Sequence, residues 1–133
     1  MIIEALKDFF EGCPLVNGGN VAVDFLDKTP LSLSINPEPC EPVIKRYTFG
    51  GSLRQYCFRL AVRLQYGTGY DAGFLERLAE WIEEKNRLSE LPELQHGKTV
   101  QGLEIIKSGH MFEENIHTAG CSMQCRLIYT DKQ

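Results

Sequence analysis

The most sustained pattern along the chain lies between Tyr56 and Tyr66. Tyr56, Phe58, Leu60, Val62, Leu64 and Tyr66 alternate with Cys57, Arg59, Ala61, Arg63 and Gln65. A period of two puts the first set on one face of a strand and the second on the other. The apolar face is expected on a core. The half-polar face is expected toward solvent or a partner. Gly50-Gly51 and Gly67-Thr68-Gly69 bound this strand.

Helical periods flank it. Phe74, Leu78 and Ile82 make an apolar stripe, widened by Leu75 and Trp81, with Glu76, Glu80, Glu83, Glu84 and Arg87 on the wet side. The spacing predicts a helix from an Asp71 cap to about Leu88, ended by Leu91-Pro92. Its stripe is expected to pack on Tyr56, Phe58, Leu60, Val62 and Leu64. Ile2, Ile3, Leu6, Phe9 and Phe10 predict a second helix over Met1 to Glu11, stopped by Gly12 and Pro14.

Shorter strands are predicted over Val21 to Leu26, Leu31 to Ile35 and Val43 to Phe49. Pro37, Pro39 and Pro42 read as a stiff extended link that no central strand accommodates. Two final strands are predicted, roughly Val100 to Phe112 and Cys121 to Thr130. The second carries Cys121, Met123, Cys125, Leu127 and Tyr129 on one face. The polar connection Glu113 to Gly120 reads either as an ordinary exposed loop or as a hairpin tip that projects from the body and orders against a neighbour. The element order predicts one α+β domain over residues 1–133. It would hold an antiparallel or mixed β-sheet, an N-terminal helix and one long amphipathic helix packed on one face.

Composition narrows the function classes. A chain of 133 residues, 43% apolar and 24% charged, can fold on an ordinary core without metals or disulfides. A net charge of −4 argues against the whole chain as a counterion-release binder of nucleic acid, and such contact is not expected. No stretch approaches the ~18–20 apolar residues of a membrane span. The start lacks a basic n-region, so synthesis in a reducing cytoplasm is expected. The five cysteines are odd in number and scattered, which predicts thiols and no disulfide framework. Cys121 and Cys125 share a strand face about 13 Å apart, too far to bridge.

The search for chemistry yields no catalytic residue, cofactor site or metal ligand set. His96, His110 and His117 have no Cys or Asp pair at metal-ligand spacing nearby. Neither glycine cluster continues into the Lys-Ser/Thr of a phosphate-binding loop. Glu83 and Glu84 are adjacent on a helix and point apart. What remains is a candidate interface. Arg59 and Arg63 lie on the outward face of the long strand and Arg126 on that of the last one. Arg54 has the opposite parity. Glu113, Asn115 and Ile116 lie in the final connection. Arginine suits an interface anchor, though solvation and salt bridges compete with that role.

Several segments carry a resemblance. Pro37-Glu38-Pro39-Cys40-Glu41-Pro42-Val43-Ile44-Lys45-Arg46-Tyr47 and Gly50-Gly51-Ser52-Leu53-Arg54-Gln55-Tyr56 resemble the minor capsid proteins of phages and prophages of Gram-positive bacteria. Trp81-Ile82-Glu83-Glu84, Leu91-Pro92 and Gln124-Cys125-Arg126-Leu127 do so too. Size and element order are similar to tail-terminator proteins, which form hexameric rings. The resemblance implies a non-enzymatic virion subunit at the head–tail junction or tail end. Its partners would be copies of itself, tail-tube protein and connector proteins. The alternatives are a small cytoplasmic α+β enzyme or ligand-binding domain, or a regulatory binding module.

Overall fold

The computed structural model describes residues 2–15, 21–23, 33–65, 73–113 and 118–132. The elements are helix α1 (Ile2–Glu11), strands β1 (Val21–Val23), β2 (Leu33–Pro37), β3 (Val43–Arg46) and β4 (Ser52–Gln65), helix α2 (Gly73–Arg87), and strands β5 (Lys98–Glu113) and β6 (Thr118–Asp131). The chain is α+β, as the patterning predicts. The proposed Asp71 cap, Leu26, Leu31, Tyr66 and the Gly67 to Gly69 break lie outside the described residues.

The sheet runs β1-β2-β4-β6-β5. Its pairings are antiparallel except for the parallel β1–β2 pair. β4 is the spine, with its whole length from Ser52 to Gln65 paired to β6. Along its other edge β2 takes Phe58 to Val62, and β3 takes Ser52 to Arg54. The proline-rich link crosses between them. Glu38 N–H donates to the Cys57 carbonyl at 2.9 Å, and Gln55 N–H donates to the Pro42 carbonyl at 3.0 Å. Pro37 belongs to β2, not to the link. It is the last strand residue, and β1 pairing stops at Ile35, so among the described residues no β1 partner needs the N–H that proline lacks.

Both helices pack on one face. α1 lies over β1 and β2, and α2 over β5 and β6. Helix axes pack 8–10 Å apart and strands about 4.8 Å, so each helix covers about two strands and β4 falls under the seam. Phe9 and Phe10 close that seam against Trp81, with ring centroids 5.0 and 5.8 Å apart. Phe10 reaches down to Phe58 at 6.3 Å. The α2 stripe Phe74, Leu78 and Ile82 shares one buried cluster with Phe58, Leu60 and Val62, and Trp81 and Tyr56 pack at its margin. The predicted partnership therefore holds at the level of the core. The α2 backbone, however, sits over β5 and β6 and leaves the β4 spine to both helices. The Leu64 side chain lies outside the described residues.

The last two strands claim half of the predicted connection. Glu113 pairs with Ala119, and Thr118 to Gly120 belong to β6. Residues 114–117 lie outside the described residues, so the tip of that connection does too. Register shifts at Val100/Gly102, Ile105/Lys107 and Lys107/His110 interrupt β5. Such irregularities twist an edge strand and make it a poorer template for another chain.

Candidate interaction surface

The face opposite the helices is built by the alternate residues of the same strands. Asn36, Arg59, Gln124 and Lys107 form one row across β2, β4, β6 and β5. Cys57, Arg126 and Glu104 form the next, and Gln55, Ile128 and Gly102 the one after. Among the described residues no helix covers these rows. A chain of polar contacts binds them laterally. Arg126 pairs with Glu104 through Nε and donates from Nη1 to Gln55 Oε1 at 2.9 Å. Gln55 Nε2 in turn donates to the Glu41 carbonyl at 2.7 Å. The network thus ties β5, β6 and β4 to the proline-rich link.

The open face is not wet throughout. Ser34, Ala61 and Ser122 sit in one row and are buried, with the Ser34 hydroxyl lacking a hydrogen-bond partner among the described residues. Alternation expects Ala61 on the face toward solvent or a partner; the parity holds, but the side chain is buried.

At the end of the β3–β4 hairpin the chain turns through Gly50 and Gly51, both with positive φ (100° and 84°). Gly50 N–H donates to the Tyr47 carbonyl at 3.2 Å, and Tyr47 N–H to the Gly51 carbonyl at 3.1 Å. A side chain at Gly51 would bring Cβ within 3.0 Å of the Asp131 carbonyl, so the hairpin lies tightly on β6 there. The turn lifts Phe49 into solvent, 87% exposed and stacked on Tyr47 at 5.5 Å. Lys45 holds its ammonium 5.7 Å from the Tyr47 ring, and Ile44 is exposed nearby on β3. Together they make an apolar knob flanked by Lys45 and Arg46. Phe49, predicted as the end of a strand, is the residue of this knob that patterning missed; a strand ending in Phe49-Gly50-Gly51 was its available sign.

The predicted interface residues divide. Arg59 is exposed on the open face, and its guanidinium makes no ion pair or hydrogen bond among the described residues. Arg126 is committed to Glu104 and Gln55. Arg63 pairs in register with Gly120, and Glu113 with Ala119, but their side chains lie outside the described residues. Asn115 and Ile116 lie outside them altogether. Arg54 points away from this face and donates to Ser52 Oγ at 2.9 Å.

Open clefts also mark the surface, and two of them gather ionisable or thiol side chains. One, about 490 Å³, lies between the start of α1 and the loop before β5 and gathers Glu4, Asp8, Glu93, His96 and Lys98. The other, about 330 Å³, lies on the open sheet face beside Cys40, Cys57 and Ile106. Among the described residues no three His, Cys, Asp or Glu side chains converge as a metal site. Burial pushes the Cys121 and Cys125 thiols on the core face of β6 up to about 12. No protein-family model matches the chain, and no curated protein matches it.

Proposed function

We propose that the chain is a non-enzymatic structural subunit of a phage virion, seated at the head–tail junction or tail end. It closes a ring there in the manner of a tail terminator, against copies of itself, tail-tube protein and connector proteins. The observation that carries this reading is the presence of two unlike surfaces on one small fold. One is the open sheet face around Arg59, and the other is the knob of Ile44, Tyr47 and Phe49. A ring needs a head-to-tail contact between two different patches, closed by rotation. The fold suits that task, because β4 supports both patches on one rigid strand. The resemblance of the 37–56 segments to minor capsid proteins supplies the virion.

The test is deletion of the gene from an inducible prophage, followed by electron microscopy and mass spectrometry of the particles. The expected result is unjoined heads and tails, or tubes of uncontrolled length, restored by a plasmid copy. The protein itself should be found in purified wild-type particles. Normal infectious particles from the deletion strain would overturn the reading.

A further inference from the structure

Cys40 and Cys57 are separated in sequence by β3, its turn and the start of β4, yet they line one cleft. The link 38–42 is held along β4 at both ends, by Glu38 on the Cys57 carbonyl and by Pro42 on Gln55 N–H. Between those anchors Cys40 turns onto the open sheet face, where Cys57 also lies. Both side chains line the 330 Å³ cleft, together with Glu38, Gln55, Ile106 and Gln124. Cys40 is exposed and Cys57 half-buried, whereas Cys13, Cys121 and Cys125 are buried. The pair therefore combines one accessible thiol with a half-buried one lining the same cleft.

We propose that Cys40 and Cys57 form an oxidisable dithiol, a modification site at which a low-molecular-weight disulfide closes a reversible Cys40–Cys57 bridge. Cys40, as thiolate, attacks one sulfur of glutathione disulfide. The disulfide bond of the reagent breaks, a mixed disulfide forms on Cys40, and one glutathione leaves as thiolate. Cys57 then gives its proton to solvent and attacks Cys40 Sγ, and the second glutathione leaves as thiolate. The two released thiolates take up protons, so the protein loses two hydrogens and the reagent becomes two thiols.

The surroundings fit this order. Burial, then the neighbouring Cys40, push the Cys57 thiol up to about 12, so it stays protonated while both are reduced. Arg126, its register partner on β6, acts the other way and favours the thiolate. Conversion of Cys40 to the mixed disulfide removes its charge from the neighbourhood and leaves the Arg126 contribution in place. The bridge would staple the link to the spine at the root of the hairpin that carries the Phe49 knob.

The experiment uses the isolated full chain, so it reads independently of any virion role. Protein reduced and desalted anaerobically is treated with glutathione disulfide, then denatured, alkylated and mapped by mass spectrometry. Of its five thiols, three should remain, with a Cys40–Cys57 cross-linked peptide that dithiothreitol reverses. Cys57→Ser should stop at a stable glutathione adduct on Cys40, and Cys40→Ser should keep its remaining thiols. Five retained thiols, a stable adduct on wild-type Cys40, or a bridge between two chains would each overturn the proposal.

Discussion

The side-chain amide of Asn86 holds Leu103 by both of its backbone groups: Nδ2 donates to the Leu103 carbonyl at 2.8 Å, and Oδ1 accepts its N–H at 2.9 Å. Asn86 lies on the last turn of α2, and Leu103 on β5, the last strand in the sheet order. The amide thus stands in for a neighbouring strand. Gly102 leaves it room, since a Cβ there would come within 3.4 Å of Asn86 Oδ1. Together with the register shifts of β5, this contact blocks strand addition at Leu103.

Asn86→Ala leaves a part-buried donor and acceptor without partners and should destabilise the chain by about 1–3 kcal/mol. Asn86→Asp keeps the acceptor but sets a carboxylate oxygen against the Leu103 carbonyl, and should cost a similar amount. Urea unfolding measures both. A change within the ~0.5 kcal/mol of an ordinary surface substitution would show that the contact does not matter.

Leu60 sits fully buried on the β4 spine, beneath the seam between the two helices. Leu60→Ala should cost about 2–5 kcal/mol, because neither helix can drop into the gap without leaving its own pair of strands. Chemical denaturation tests this, and a cost under about 1 kcal/mol would contradict the placement of Leu60 under both helices.

The long strand and α2 were legible because each has one buried face. A one-residue slip would move Phe58, Leu60 and Val62 to the open side, so the pattern pins the register. Contacts set by strand order were not legible. Parity places Cys57 and Arg126 outward, yet nothing local says that β4 and β6 are neighbours, or that Arg126 faces Glu104 and Gln55. Cys40 and Cys57 line one cleft only because β2 and β3 share one edge of β4. Nothing in the helical pattern singles out Asn86, whose partner Leu103 comes from β5. For the candidate surface, exposure of Arg59 followed from alternation, whereas exposure of Phe49 followed from the turn that lifts it.

Alkali should weaken the fold in a defined direction. Cys121 and Cys125 are buried, and burial holds their thiols up at about 12, against about 8.5 in an unfolded chain. Above pH ~8.5 the unfolded chain releases protons that the folded chain keeps. This contribution is fully present below that pH and is lost as pH rises toward 12. Each thiol should remove up to about 1.4 kcal/mol per pH unit within the window. Urea midpoints from pH 8 to 10.5 would show the fall, and Cys125→Ala should shallow it. A slope unchanged in that variant would exclude Cys125 from the linkage.

Arg59 and Arg126 share the open sheet face, but substitution should separate their roles. Arg126 is part of the sheet's lateral network, so Arg126→Glu loses two partners and places a carboxylate against Glu104. Its cost to stability should be about 1 kcal/mol, the scale of a partly exposed ion pair, with assembly reduced through the damaged face. Arg59 is exposed and unpaired among the described residues, so Arg59→Glu should leave stability within about 0.5 kcal/mol. If Arg59 meets a neighbouring subunit, the same change should cut particle yield about tenfold, the equivalent of ~1.4 kcal/mol at one contact. Phe49→Ser removes the apolar knob and should do likewise with the fold intact. Complementation of a deletion strain, scored by plaque titre and electron microscopy beside circular dichroism of each purified variant, makes the comparison. Wild-type titres from both Arg59→Glu and Phe49→Ser would strip the two surfaces of any part in assembly, whatever Arg126→Glu does.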